Sequence, residues 1–455
     1  MSLGEAISKI FTFVSFTYLG RNFGPAVYGE VEFSLSITLV FALFLQMGLG
    51  SYGTREIARR PESARQLLGE IIEVRLLLAL ISVSVIFCFA WLVDKPVEVK
   101  LLMAAFGVSL LVLPAMTIWF FQAHEAMHWV AAINLSKHVV FAALVLSSVR
   151  PDSPLWIIGA METAALLAAA ALGVVLIRQS LGYSRPRVGL NLQRSLDHFR
   201  SALPIGLADL GWAALWQSPM VVLGLRLSDD SLGWFGAAHR CTMALHTFVW
   251  WYFFNLLPSV SRTADGPRES LRALLEPSIK LAAWGGVSVA LTGGLVASDV
   301  LGLAYGAEYS AGGPVLAALL WGLPLAALCG HYRAVLIGYG LQQPLFERTL
   351  VAAVVGAGAA YLLSPIWGAL GAVAGLVAGN LTVLILSYRV AAHRVVDLCF
   401  AGPAAAPLLG AAGTYALSAT GGSGAAAAGV AAFVGWMLWA NRDQARIWFS
   451  RLRAG

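Results

Sequence analysis

Apolar runs of about 20 residues alternate along the chain with short polar breaks rich in Arg, Gly and Pro. A helix rises about 1.5 Å per residue, so about 20 such residues cross the roughly 30 Å of bilayer hydrocarbon. The pattern predicts fourteen spans, near 3–20, 30–50, 71–93, 99–121, 127–149, 154–177, 202–225, 232–258, 278–297, 312–337, 346–364, 368–388, 403–420 and 424–440. The expected class is an all-α polytopic membrane protein.

Charge gives the spans a direction. With the N-terminus placed in the cytoplasm, the inner loops and tail hold twenty of the 30 Lys and Arg, among them Arg55, Arg178, Arg194, Arg262 and Arg442. The outer loops hold five: Arg21, Lys95, Lys100, Arg150 and Arg226. Lys and Arg concentrate on the cytoplasmic side of short-loop membrane proteins, so both termini are expected inside.

Composition removes whole classes. Charged residues are 12% of the chain and mean hydropathy is +0.76, whereas soluble domains carry about 25% charge. The net charge of +6 sits in short loops, which reads as a topology signal and not as a nucleic-acid surface. Cys88, Cys241, Cys329 and Cys399 are scattered through apolar runs with no C-x-x-C spacing, so they read as small buried hydrophobes. Glu5 and Lys9 interrupt the first apolar stretch and no small-residue cleavage site follows, so the first span is expected to be retained. No phosphate loop, H-E-x-x-H or nucleotide domain occurs. The chemistry expected is binding and conformational change, not catalysis, with no cofactor.

The two halves echo one another. "YGEVEFSLSITLVFALF" opens the second span and "FGAAHRCTMALHTFVWW" the eighth, and each run leads to an inner arginine, Arg55 or Arg262. A mid-span Leu-Pro recurs in the fourth and tenth spans. A spacing of six spans gives both halves one orientation, related by an axis along the membrane normal. The expected organisation is an N-terminal six-helix bundle (1–178), a cytoplasmic linker (179–200), a C-terminal six-helix bundle (201–394), and two extra helices with a basic cytoplasmic tail (395–455). Leu190, Leu192 and Leu196 beside Arg194 and Arg200 suit a linker helix on the membrane surface.

The first break, "RNFGPAVYGEVEF", reads as a helical hairpin turn: Pro25 opens a helix without needing its missing N–H, Gly24 and Gly29 allow a tight backbone, and Tyr28 suits the membrane–water interface. The longer stretch "LGRNFGPAVYGEVEFSLSITLVFALFLQMGLGSYGTREIARR" resembles the N-terminal pattern of the polysaccharide (O-antigen type) flippases, of the multidrug/oligosaccharidyl-lipid/polysaccharide exporter superfamily. "SLGWFGAAHRCTMALHTFVWWYFFNLLPSVSR" and "YGAEYSAGGPVLAALLWGLP" are similar to later segments of the same family. The first span here starts almost at Met1, where the family pattern has several residues before it. The resemblance implies a protein of the bacterial cytoplasmic (inner) membrane that flips a polyprenyl-pyrophosphate-linked oligosaccharide outward by alternating access. Its implied partners are that lipid-linked substrate, membrane lipid, a polysaccharide polymerase and a chain-length regulator.

Charges within spans cost at least about 2.5–3.5 kcal/mol and usually line a cavity or pair. Lys137 lies mid-way along the fifth span and Arg240 about a third of the way into the eighth, while Arg21 and Arg55 flank the second. These four are the candidate ligands of an anionic headgroup. Glu162 and Asp209 are candidates for ion pairing with Lys137 or Arg240, or for coupling. Arg75 and Arg333 are near enough to a face to snorkel, and His239, His246 and His331 suit hydrogen-bonded helix contacts. Two other readings compete: a drug/cation antiporter of the same fold, which favours acidic and aromatic site residues, and a membrane glycosyltransferase or polymerase, which usually carries a large external loop.

Overall fold

The computed structural model describes residues 2–181, 192–227, 230–264 and 266–442, all helix, turn or short loop. The linker cations Arg185 and Arg187, Leu190, and the tail cations Arg446, Arg451 and Arg453 lie outside these residues. Among the described residues eight stretches are long and apolar enough to cross a membrane, nine if a pair bent by 67° is one crossing. The fold is therefore the expected all-α polytopic one.

The first helix, α1 (Ser2–Gln46), is interrupted at Gly24, with φ 73 and ψ 171, a region that essentially only glycine enters. Pro25 follows as the first residue of the next helical segment. Each half, about 22 residues, is one bilayer thickness long. The break was legible in the sequence; the role of Tyr28 was not. Tyr28 is fully enclosed by protein, and its hydroxyl donates to Glu32 Oε1 at 2.5 Å. Gly29 serves packing: a Cβ there would lie 2.6 Å from the backbone N of Gly233, and one on Gly233 would lie 1.9 Å from Pro25 O.

After Met47 (φ 30) and Gly48 (φ 69) the chain enters α2 (Leu49–Arg59), a short amphipathic helix that buries Leu49, Tyr52, Gly53 and Ile57. Then follow α3 (Ala64–Leu92) and α4 (Val97–Ser109), turned on Pro96. The fourth span is broken: Leu113–Ala115 forms a 3-10 turn around Pro114 before α5 (Ile118–Ala123). Helices α6 (Met127–Ser148), α7 (Trp156–Ser180) and α8 (Leu192–Arg226) follow. The first half of α1 runs parallel to α6, with Thr12 Oγ1 2.9 Å from His138 Nδ1 and the Tyr18 hydroxyl donating to Val149 O at 3.0 Å. Helix α7 likewise runs parallel to the fourth span, Gly159 meeting Phe106 and Gly173 meeting Thr117. Parallel packing of every second span follows when short loops reverse the chain at each membrane face.

Two compact units divide the chain. The first holds residues 1–237 and 304–308 and includes α8, which packs Gly206 on Met47 and Gly224 on Phe33. Its residues 192–200 pack onto α2 and α3 through Ser195 and His198, with Leu196 exposed.

The second unit holds most of α9 (Asp230–Arg262), then α10 (Arg268–Leu295), α11 (Ala297–Tyr305), α12 (Gly313–Leu320), α13 (Gly322–Gly338), α14 (Gln342–Trp367), α15 (Ala369–Arg394) and α16 (Ala401–Ala440). The break between α12 and α13 falls at Trp321, three residues before Pro324, so both mid-span Leu-Pro steps lie at helix interruptions. Helix α16 folds back on itself. Thr414 Oγ1 donates to Gly429 O at 3.1 Å across 15 residues, which a straight helix would hold about 22 Å apart. Its two arms pack Ala411 and Phe433 against Trp284, Val287 and Leu291 of α10.

Candidate functional site

In the first unit, Lys137 on α6 and Glu162 on α7 form an ion pair, Nζ to Oε1 2.7 Å. Their side chains are 25% and 16% exposed, so the pair is half-enclosed, with one side accessible. Asp209 does not join it and is exposed on α8. Arg21 is exposed and its Nε donates to Ala304 O at 2.7 Å. Arg55 lies over the Tyr52 ring, 5.7 Å from its centroid, and 3.9 Å from Glu56. Arg240 is half-buried on the α9 portion of the second unit, next to buried His239. Of the predicted residues, Lys137 and Glu162 meet as an ion pair, Arg21 and Arg55 make contacts of their own in the first unit, and Arg240 belongs to the second.

Two polar clusters of the first unit escaped the sequence reading. Lys95, expected in an outer loop, lies in the loop between α3 and α4 with its side chain only 4% exposed. Its Nζ donates to Glu30 Oε1 at 2.7 Å and to Leu227 O at 3.2 Å, and lies over the Phe33 ring. The signal available was Glu30 and Glu32, two carboxylates at the head of an apolar span. At the other end of α3, His198 Nε2 meets Glu70 Oε2 at 2.7 Å and its Nδ1 meets the Tyr52 hydroxyl at 2.9 Å. These groups line a polar cavity of about 360 Å³ with Glu56, Arg60 and Arg194.

Arg75 does not snorkel. It is 4% exposed, enclosed by protein on α3, with NH1 3.4 Å from Met116 O and the guanidinium 5.9 Å from the Trp119 ring centroid. A buried arginine within an apolar run was visible in the sequence; that it points inward was not.

In the second unit, Ser278 Oγ is 2.7 Å from His331 Nε2 and also bonds the Tyr252 hydroxyl, while His331 Nδ1 is 2.8 Å from Ala327 O. His331 is thus a hydrogen-bonded helix contact, as its place in the sequence suggests. Tyr252 also borders an apolar crevice of about 350 Å³ between α9, α10 and α13, lined by Phe248, Phe253, Gly285 and Leu323. Among the described residues no three His, Cys, Asp or Glu side chains are grouped to hold a metal ion.

A family model described as polysaccharide biosynthesis protein matches residues 1–264. The chain is 21% identical over 268 residues to the Escherichia coli (strain K12) protein named "Putative O-antigen transporter". That alignment takes in 58% of this chain and 64% of the length of that relative. Among solved structures, the fold is similar to lipid II flippase MurJ in an inward closed conformation. The TM-score is 0.71 at 14% identity, covering 97% of this chain and 99% of that one. It is also similar to an inward-facing multidrug resistance MATE family transporter of the MOP superfamily, with a TM-score of 0.72 at 15% identity, covering 85% and 94%. At such identities these two likenesses concern the fold.

Proposed function

The chain belongs to the polysaccharide biosynthesis protein family, and from that premise we propose that it is a flippase. Its substrate is a polyprenyl-pyrophosphate-linked oligosaccharide, moved from the cytoplasmic to the outer leaflet of a bacterial inner membrane. The observation that carries this reading is the family match over residues 1–264, a stretch that includes Arg21, Arg55, Lys137 and Arg240.

A polyprenyl tail stays in lipid, but pyrophosphate and sugars lose too much hydration there to cross alone. Fixed cations inside the protein replace that hydration. Arg55, on the loading side, meets the headgroup first. Lys137 receives it by exchanging Glu162 for phosphate, Arg240 contacts it in the second half, and Arg21 meets it at the outer end. Rocking of the two helix bundles, spans one to six and seven to twelve, alternates the access. No step makes or breaks a covalent bond, so the protein is a transporter and not an enzyme.

Loss of the protein tests this. In cells without a related flippase, deletion is expected to leave lipid-linked glycan on the cytoplasmic side and to abolish surface polymer. Polymer that persists, or a phenotype limited to sensitivity to cationic drugs, would favour the antiporter instead. The orientation has its own check. With the native cysteines removed, Asp94→Cys and Ser153→Cys are expected to react with an impermeant thiol reagent from outside, and Ser63→Cys only after permeabilisation. Ready outside labelling at Ser63→Cys overturns the arrangement with both termini in the cytoplasm.

A further inference from the structure

Arg75 is a buried cation for which the first unit supplies little. Among the described residues its one hydrogen bond, to Met116 O, is long at 3.4 Å, and its Nε has no acceptor. Among the described residues no carboxylate pairs with it. Trp119, 4% exposed, stands against the guanidinium, and its Nε1–H also lacks an acceptor, as does the buried hydroxyl of Thr117 two residues away. Guanidinium and indole N–H groups only donate. Buried donors are nearly always satisfied in folded proteins, and two neighbouring donor-only side chains with no acceptor among the described residues are suited to an acceptor bearing negative charge.

The surrounding backbone fits such a place. Irregular backbone in membrane-spanning proteins is confined to protein interiors and cavity walls, and interrupted helices point to binding sites. Arg75 lies beside two interruptions. One is the 110–117 stretch that carries Met116 and Thr117. The other is the step at Met47 and Gly48, after which α2 lays Gly50 over the fork: a Cβ at Gly50 would be 3.2 Å from an Arg75 terminal nitrogen and 3.3 Å from Trp119 Cβ. A non-glycine residue at positive φ is uncommon, and Met47, at φ 30, is the step from which the chain enters α2.

We propose that Arg75, Trp119 and Thr117 form an anion subsite in the first unit that takes the phosphate groups of an isoprenoid pyrophosphate. The assignment to substrate rests on the flippase reading; the subsite itself does not. It differs from Lys137, whose charge Glu162 already balances.

Thermal unfolding of the full-length protein in detergent tests it, with inorganic pyrophosphate, farnesyl pyrophosphate and phosphatidylglycerol as separate probes. Both pyrophosphates are expected to raise Tm of the wild type. Arg75→Met is expected to raise the ligand-free Tm, because an apolar side chain of similar length replaces an uncompensated charge. It is also expected to weaken the response to pyrophosphate about tenfold, the size of a lost charged hydrogen bond. Arg75→Met with a lower ligand-free Tm and an undiminished response makes Arg75 structural and overturns the subsite. Should Arg75→Met fail to accumulate, Trp119→Phe decides: a response weakened several-fold supports the subsite and an unchanged one overturns it. Stabilisation by phosphatidylglycerol alone assigns the site to membrane lipid and overturns its link to substrate. If Arg75→Met loses the pyrophosphate response but deletion of the protein leaves polymer export intact, the subsite stands and the flippase reading falls.

Discussion

Lys137→Ala is expected to abolish polymer export while leaving the protein level unchanged. The level holds because Glu162, left behind, is 16% exposed and not sealed in the core, so water can solvate it. The export loss is large because a charged contact to an anion is worth about 2–5 kcal/mol where water is excluded, on the order of a hundredfold in rate or affinity. The pair itself needs a control. A Lys137→Ala/Glu162→Ala double variant removes the ion pair and leaves no orphaned charge. If Lys137 serves substrate, the double variant stays inactive. Recovery of export would make the pair structural and remove Lys137 from the anion path. Arg240 is expected to behave likewise in Arg240→Ala. Arg240→Lys separates charge from geometry: partial export means charge suffices, and poor export means the planar fork makes bidentate contact with phosphate.

Lys95→Met is expected to destabilise the first unit by about 3–5 kcal/mol, the usual result of breaking a buried ion pair by removing one partner. Lys95 and Glu30 are 4% and 8% exposed at their side chains, so neither can recover hydration in place. Glu30→Met should cost a similar amount, through loss of the carboxylate that accepts from the Lys95 ammonium. The Lys95→Met/Glu30→Met double variant should regain most of the loss, since the burial penalty of both charges disappears together. Thermal unfolding of the four proteins in detergent gives the coupling directly. Single variants that each lose under about 1 kcal/mol would mean that the pair is solvated in the membrane, and its burial would then have no energetic meaning.

The helices were legible because lipid leaves the backbone few choices: apolar stretches of span length must be helical. Gly24–Pro25 was legible as a break for an equally local reason, a conformation and a missing N–H that belong to those residues alone. Tyr28 was not. An aromatic residue at the end of a span reads as interfacial under the aromatic-belt rule, and the same pattern arises when other helices cover it. The enclosure of the Lys95 and Arg75 side chains was not legible either. What encloses them, Leu227 for one and Met116 for the other, lies 132 and 41 residues away, and no periodicity carries that information. Lys137 and Glu162 lay between the two cases: both were visible as charges in adjacent spans, but their pairing depended on helix rotation, which the apolar pattern leaves undetermined where lipid and protein neighbours are both greasy. Membership of the family followed from stretches such as Leu19 to Arg60, where the Gly24–Pro25 break and the Met47–Gly48 step set distinctive residues between helices.

The contact between Glu30 and Lys95 also has a timetable. The two are 65 residues apart in the chain, and Lys95 and Leu227 are 132 apart. At a synthesis rate of about 5–20 residues per second, Glu30 enters the insertion machinery roughly 3–13 s before its counter-ion is made. Lys95 then waits roughly 7–26 s more for the carbonyl of Leu227. During those intervals each charge is held by the translocation apparatus or by lipid headgroups. Newly made chains are therefore most exposed to degradation in a window set by the ribosome, before the finished protein has a melting temperature at all.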